Sequence, residues 1–174
     1  MPLTTYTAGQ VLTAASLNAN FSFAAGGVVQ QVATQVGTMA TGTTLIPLDN
    51  TIPQNTEGDQ YMTLAITPTS ATNILLINVI AVVSNSVANT ITMALFQDST
   101  ASALATVLMY QGTATGGLTM PLTHRITAGT TSATTFKIRI GALGAGTNTF
   151  NGTNGTAYYG GTLASTIVIT EIKP

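Results

Sequence analysis

The chain has 174 residues and a formal net charge of −1, and only nine of its side chains carry a charge. Charged residues make up 5% of the sequence, against about 25% in an ordinary soluble domain. Four basic residues cannot neutralise a run of phosphates, which argues against nucleic-acid binding. No apolar stretch reaches the roughly 20 residues of a membrane helix, and cysteine is absent, which excludes disulfides and thiolate metal sites.

The first 27 residues differ in pattern from the rest and are interpreted as a separate attachment segment. Pro2–Gln10 is predicted to be an extended arm, and Thr13 is predicted to cap a helix from Ala14 to about Ala25. A helix of about three turns with one apolar stripe is marginal alone, so we expect it to dock on another surface. The candidate anchoring side chains are Leu12, Leu17 and Phe21.

Residues 28–174 show the alternation of apolar and polar side chains that is typical of β-strands. Turn residues such as Gly, Asn, Asp and Pro separate the runs. The predicted strands are Val28–Val36, Thr43–Leu48, Gln60–Thr67, Ile74–Val83, Thr90–Gln97, Ala103–Tyr110, Leu118–Thr127, Thr134–Gly141 and Leu163–Ile172.

This pattern predicts an all-β domain, an antiparallel sandwich for which a jelly roll is the favoured topology. An immunoglobulin-like sandwich is the alternative, but the core Trp and the Cys pair that often mark it are both absent. The Ile74–Val83 run is apolar on both faces, and Val168 lies opposite the Ile167 and Ile169 face. Because a sheet with two apolar faces needs a second burial surface, we expect a homo-oligomer, with a trimer favoured.

The few ionisable residues give weak support for catalysis or for metal binding. Asp49, Glu57 and Asp59 share one loop; they fit a Ca²⁺ site in principle, but ordinary turn hydrogen bonding is the favoured interpretation. His124 could act as a general base only beside a nucleophile, and the sequence contains no nucleophile motif. Its expected hydrogen-bond partner is a backbone carbonyl or a neighbouring subunit. No catalytic residue, metal site or cofactor is predicted, and we expect the protein not to be an enzyme.

The cations also have an expected structural role. Lys137 and Arg139 share one strand face and are predicted to pair with Asp98 or Glu171, within or between subunits.

A segment rich in Gly, Asn and Tyr precedes the last strand. Tyr, Asn and Gly are the residues of adaptable recognition loops, including loops that bind sugars. The candidate contact residues are Asn151, Asn154, Tyr158 and Tyr159. A long hairpin connection with two Asn-Gly turns explains the same composition, so both interpretations stay open.

Several stretches resemble a domain found in structural proteins of tailed phages and prophages. The stretches are Ile46–Pro68, Met93–Thr100, Leu104-Ala105, Ala128–Arg139, Thr149–Gly152, Gly160-Gly161 and Ser165–Ile172. Together they span most of residues 43–172. Ala8–Phe21 is similar to a short segment that opens many phage tail and fibre proteins, where it acts in virion attachment or assembly.

The resemblance implies a virion protein with a trimeric β-sandwich and supplies no catalytic residues. The first hypothesis is a short tail fibre or receptor-binding protein, anchored by residues 1–27, with a host surface glycan as a possible ligand. The second is a capsid decoration protein, either a cement protein or a head fibre, that stabilises the head. A third, a carbohydrate-active enzyme, needs paired carboxylates, for which Asp49, Glu57 and Asp59 are the only cluster. In the first two cases the partners are copies of the chain and other virion proteins.

Overall fold

The computed structural model describes residues 5–11, 13–18 and 27–174. Within the N-terminal segment, residues 14–18 form a helix. Thr13 caps this helix as predicted, because its Oγ1 accepts a hydrogen bond from the Ser16 amide at 3.2 Å. The remainder of the predicted helix, residues 19–25, lies outside the described residues. The predicted arm is not extended throughout, since the Gln10 amide donates to the Thr7 carbonyl at 3.1 Å and closes a turn.

Residues 27–174 are all-β, as predicted, apart from one turn of 3₁₀ helix at Tyr159–Gly161, and their sheets are antiparallel. The strands are β1 (Val28–Val36), β2 (Ala40–Gly42), β3 (Asp59–Ile66), β4 (Ile74–Asn85), β5 (Asn89–Gln97), β6 (Ala105–Gln111), β7 (Leu118–Thr127), β8 (Thr134–Ala142), β9 (Asn148–Phe150), β10 (Gly152–Thr153), β11 (Thr156–Ala157) and β12 (Ser165–Ile172).

The first sheet is centred on β4, in agreement with the apolar character of both its faces. β7 pairs with one edge of β4 over its whole length. On the other edge, β12 pairs with residues 74–80 and β9 continues along residues 83–85. β1 and β2 pair with β12 and β9 in turn, so the sheet has four rows: β7, β4, β12 with β9, and β1 with β2.

The second sheet has the order β3-β8-β5-β6. Phe136, Ile138 and Ile140 of β8 are fully buried, and Lys137 and Arg139 lie on the opposite face, as their alternation predicts. The inward faces of the two sheets share one core. Its largest buried side chains include Leu75, Ile77, Ile91, Leu95, Met120, Phe136 and Phe150.

The predicted strand at Thr43–Leu48 is wrong. This segment crosses the outer surface of the second sheet and makes single backbone bonds rather than a ladder: the Ile46 amide donates to Ala142 and Leu45 accepts from Gly58. Ile46 is buried against Ala94 and Phe96 on that surface. The short apolar run that resembles a strand therefore covers a sheet instead of extending it.

The two ends of β1 lie at opposite ends of the domain, and each end contacts a different segment of the chain. At its start, Val28 pairs with Ile172 and the Lys173 amide donates to the Gly27 carbonyl, so residues 1–26 join the domain there. At its finish, Val36 pairs with Ser165, the first residue of β12. Nine strand residues separate these points by about 30 Å.

Candidate functional site

Tyr158 and Tyr159 are the predicted contact residues that the structure exposes most clearly. Tyr158 is 45% exposed and Tyr159 is 78% exposed. Their ring centroids lie 6.3 Å apart and the ring planes are inclined by 49°. The two rings therefore form one aromatic patch on residues 152–164, called here the tyrosine loop.

The tyrosine loop begins with a short hairpin. Gly152 pairs with Ala157 and Thr153 pairs with Thr156. The two residues between them, Asn154 and Gly155, have φ of 49° and 73°. Positive φ at both central positions is what a tight hairpin of type I′ needs, and Asn-Gly supplies it at low cost. The predicted Asn-Gly turn at residues 154–155 is thus present, and Asn154 is exposed at its tip.

Asn151 has a different role from the one that its sequence context suggests. It is 1% exposed, so its side chain is not available to an external partner. Its amide nitrogen donates to the Val36 carbonyl at 2.6 Å and the Thr38 carbonyl at 3.3 Å. Its Oδ1 accepts a hydrogen bond from Ser165 Oγ at 2.6 Å. Asn151 therefore ties the two ends of the tyrosine loop together and to the end of β1.

The tip of the tyrosine loop is also held in place. Tyr159 has a left-handed φ of 54°, a conformation that costs a bulky residue about 1–2 kcal/mol. Its carbonyl accepts hydrogen bonds from Thr162, from the amide at 3.1 Å and from Oγ1 at 2.7 Å. Gly161 packs so closely on Gly37 that a Cβ at Gly37 would lie 2.2 Å from the Gly161 oxygen. The surroundings thus fix the loop in one arrangement.

Of the predicted anchoring residues, only Leu17 is described. It is 41% exposed, on the helix of residues 14–18. Leu12 and Phe21 lie outside the described residues.

The three loop carboxylates accept hydrogen bonds from nearby backbone amides and hydroxyl groups, as the favoured interpretation predicts. Asp49 accepts hydrogen bonds from the amide and the hydroxyl of Thr51, which lower its pKa. Asp59 accepts from the amide and the hydroxyl of Thr44, and Glu57 accepts from the Gln54 amide at 3.0 Å. Among the described residues, no cluster of three or more His, Cys, Asp or Glu could hold a metal ion.

Within one chain, Lys137 and Arg139 do not pair with the carboxylates of Asp98 or Glu171, so that part of the prediction is wrong. Lys137 Nζ donates to the backbone carbonyl of Asp98 at 2.7 Å. Arg139 donates to the carbonyls of Glu57 and Gly58 at 2.7 and 2.6 Å. Both cations therefore fasten loops by binding carbonyl groups instead of carboxylates.

His124 lies on β7, opposite Ile77. Its imidazole forms no hydrogen bond with any residue that the structure describes, so the predicted backbone carbonyl partner is absent there. Burial lowers the pKa of His124, which favours the neutral ring.

A buried carboxylate at the opposite end of the domain was missed as a structural centre. Glu171 is 0% exposed and accepts hydrogen bonds from Gln30, Asn73 and Thr69. Burial acts to raise its pKa, but the hydrogen bonds from these three residues lower it from 4.5 to about 2. Residue alternation could have revealed this position, because Glu171 shares a strand face with Ile167 and Ile169.

The outer face of the first sheet is almost without charge. Its three central rungs are Gln31-Thr170-Leu76-Arg125, Ala33-Val168-Asn78-Thr123 and Gln35-Thr166-Ile80-Pro121. We call these residues the outer face. Ile80, on the central strand β4, is 52% exposed, and Leu76 and Val168 are half-buried. Arg125 is the single charged residue among them and lies on the edge strand β7. A nearly uncharged sheet face that exposes one aliphatic side chain and half-buries two others is suited to contact with another protein.

The fold and this surface define an all-β protein with two packed antiparallel sheets, a protruding tyrosine loop and a neutral outer face. In the part of the chain that the structure describes, we find no helix with the length and the apolar character needed to cross a membrane. No protein-family model matches the chain, and no curated protein matches it either.

Solved structures that partly match the chain include viral and phage proteins. Eiger TNF from S. frugiperda is 10% identical, over 82% of this chain and 93% of that one, with a TM-score of 0.41. The structure of the infectious bursal disease virus Gx strain is 14% identical, over 83% of this chain and 40% of that one, with a TM-score of 0.37. The enzymatically active domain of tailspike protein 4 from bacteriophage CBA120 is 13% identical, over 71% of this chain and 19% of that one, with a TM-score of 0.29. At scores this low, the similarity assigns neither a family nor a function.

Proposed function

We propose that this chain is a structural protein of a phage particle, a short tail fibre or receptor-binding protein that attaches through residues 1–27 and contacts the host with the tyrosine loop. The observation that carries the proposal is the separation of two segments by the length of β1. The attachment segment joins the domain at Gly27, while the tyrosine loop is held at Gly37, about 30 Å away along the strand. A protein that bridges a particle and a cell needs its two contacts at opposite ends.

We propose a jelly-roll topology for the β-domain. The strand orders β1-β12-β4-β7 and β3-β8-β5-β6 support it, because each sheet combines strands from both halves of the chain, as two Greek keys require.

We further propose that the protein is a homotrimer in which the outer face of each copy is covered by another copy. The support is the exposed Ile80 on a central strand, together with a surface too poor in charge to stay dispersed by repulsion. Closed symmetry is the usual arrangement of such assemblies. Light scattering on the purified protein at micromolar concentration tests this proposal, and a monomer mass contradicts it.

A role in the particle rather than in catalysis agrees with the loop carboxylates. Asp49, Glu57 and Asp59 are each occupied by hydrogen bonds from neighbouring amides. Asp49 is exposed, so the loop does not shield a reacting bond from water. If the purified protein hydrolyses a glycan, and the triple change of these residues to Ala abolishes the hydrolysis, the non-catalytic proposal is wrong.

Capsid decoration is the second candidate function. A specific observation favours it: Leu45, Leu48 and Ile52 are 41%, 51% and 58% exposed on the segment that covers the second sheet. Beside them, an open groove of about 380 Å³ lies between residues 49–53 and 103–106. Apolar side chains around a groove suit contact with another virion protein.

Reconstruction of the virion separates the two functions. A tail fibre gives density at the tail, with the tyrosine loop pointing outward, and a decoration protein gives density on the capsid. Deletion of residues 1–27 is the matching biochemical test. We expect a folded β-domain that no longer enters particles, and normal incorporation of the truncated protein overturns the attachment assignment.

A further inference from the structure

The tyrosine loop exposes more aromatic surface than its own packing requires. Tyr159 is 78% exposed, and the nearby ring of Tyr158 is 45% exposed. Neither phenol hydroxyl forms a hydrogen bond with a described residue. Both rings thus keep accessible aromatic surface and a hydroxyl group that can still bond to a ligand.

This exposed pair is held in place before any ligand arrives. The Asn151–Ser165 hydrogen bond closes the base of the loop, the Gly37–Gly161 contact supports its far side, and Thr162 holds the strained Tyr159 backbone. Strain that the surroundings maintain at an exposed residue points to a functional constraint. A preformed site also loses less conformational entropy on binding.

The chemistry of the loop selects an uncharged ligand. Residues 140–170 contain no Asp, Glu, Lys, Arg or His, so no side chain there can pair with a phosphate, a sulfate or a carboxylate. The loop offers hydroxyl and amide groups instead, on Thr156, Thr162 and the exposed Asn154. A pyranose ring has the complementary surfaces, an apolar C–H face to stack on an aromatic ring and a rim of hydroxyl groups to bond with neutral polar groups.

The size of the patch favours a small ligand over a protein. A standard protein interface buries about 800 Å² on each partner, whereas a tyrosine buries about 150–250 Å² even when fully enclosed. Two partly exposed rings therefore fit one or two sugar residues better than a protein surface.

We propose that Tyr158 and Tyr159 form a preformed binding site for a neutral saccharide, and that Asn151 is a positioning residue for this pair. The inference deepens the proposed host-contact function and rests on it. Asn151 does not touch the ligand; it sets the loop that presents the rings.

The test uses the full chain and defined saccharides. Maltotetraose, cellotetraose and chitotetraose are the neutral probes, and oligosialic acid and a heparin tetrasaccharide are the acidic controls. Saturation-transfer NMR detects binding. Titrations are followed by the intrinsic fluorescence of the five tyrosines, which no tryptophan emission masks because the chain has no Trp. We expect at least one neutral probe to bind with millimolar or tighter affinity, and the acidic probes to give no transfer.

Variants assign the binding to the loop. We expect Tyr158→Ala/Tyr159→Ala to lose at least tenfold in affinity. The matched control is Tyr110→Ala, which removes another exposed tyrosine, 67% accessible on β6, and should bind as the parent does. Asn151→Ala should weaken binding and should leave the NMR spectrum of the β-domain native outside the tyrosine loop.

The outcomes separate this inference from the proposed function. Failure of all neutral probes to bind, binding of the acidic probes alone, or full binding by the double tyrosine variant each overturns the saccharide site. If such a protein still adsorbs to host cells, the proposed host contact stands and uses another surface. If a neutral saccharide binds at the tyrosines but the protein does not adsorb to cells, the site stands and the proposed function fails.

Discussion

Asn151 Oδ1 accepts a hydrogen bond of 2.6 Å from Ser165 Oγ. These two residues flank the tyrosine loop, and Ser165 Oγ also accepts a hydrogen bond from the Val82 amide at 2.9 Å. The contact therefore joins both ends of the loop to the central strand of the first sheet. The loop protrudes from a buried, fully bonded base, which explains how residues with exposed side chains can keep one conformation.

The first prediction concerns this base. Asn151→Ala removes the donor to Val36 and Thr38 and the acceptor for Ser165, so buried groups lose their partners. We expect the free energy of unfolding to fall by about 2–3 kcal/mol, measured by urea denaturation. Asn154→Ala is the matched control, because Asn154 has nearly the same left-handed φ, 49° against 53°, but is exposed. Equal losses in the two variants mean that backbone strain, not hydrogen bonding, sets the cost.

The second prediction concerns acid stability. Glu171 has a pKa of about 2 in the folded protein, against its ordinary value of 4.5. A depressed folded-state pKa stabilises the protein fully above pH 4.5, and this contribution is lost as the pH falls from 4.5 towards 2. We expect Glu171→Gln to be less stable at pH 7 and to show a flatter loss of stability across this range. Thermal unfolding between pH 2 and pH 7 measures both effects.

The exposed carboxylate of Asp49 provides the control for this titration. Asp49→Asn removes a group of the same charge that bonds only to Thr51. Hydrogen bonds from Thr51 lower the pKa of Asp49 as well, so we expect Asp49→Asn to flatten the acid limb less than Glu171→Gln does. If Glu171→Gln keeps the steep acid limb of the parent, another group controls acid unfolding.

The third prediction uses two adjacent residues on opposite faces of β12. Ile167 is 0% exposed in the core, so Ile167→Asp should prevent folding by burying an unpaired charge. Val168 is half-buried on the outer face, so Val168→Asp should fold but dissociate into single chains. Circular dichroism and light scattering distinguish the two results. A native oligomer of Val168→Asp shows that another surface mediates assembly, and a soluble native Ile167→Asp shows that the strand faces are reversed.

Much of the fold follows from the sequence because its strands are regular. The period-two pattern placed β1 and β7 with their observed ends and identified β4 as a central strand. It failed at Thr43–Leu48, where the apolar Ile46 serves a contact with Ala94 and Phe96 rather than a ladder. Sequence alternation reports which side chains are buried, but it does not report what covers them.

The candidate site was only partly predictable for a similar reason. Composition identified Tyr158 and Tyr159, because exposed aromatic residues and tight Asn-Gly turns are local features. It did not distinguish Asn154, at the tip of a turn, from Asn151, buried at the base, although both precede glycine. Their difference depends on Val36, Thr38 and Ser165. The partners of Glu171 are equally remote, since Gln30 and Asn73 are brought to it by sheet pairing and a distant loop.

The last prediction tests the support on the far side of the tyrosine loop. A Cβ at Gly37 would lie 2.2 Å from the backbone oxygen of Gly161, and backbone cannot rotate away as a flexible side chain can. Gly37→Ala should therefore displace residues 159–162 and lower the free energy of unfolding by about 1–3 kcal/mol. Gly144→Ala is the matched control, because nothing lies within 4 Å of its Cβ position. Limited proteolysis and chemical-shift changes at Tyr158 and Tyr159 report the displacement. If Gly37→Ala leaves the loop signals and the cleavage rate at those of Gly144→Ala, the Gly37–Gly161 contact does not hold the loop, and the rigid presentation of the tyrosines depends on Asn151 and Thr162.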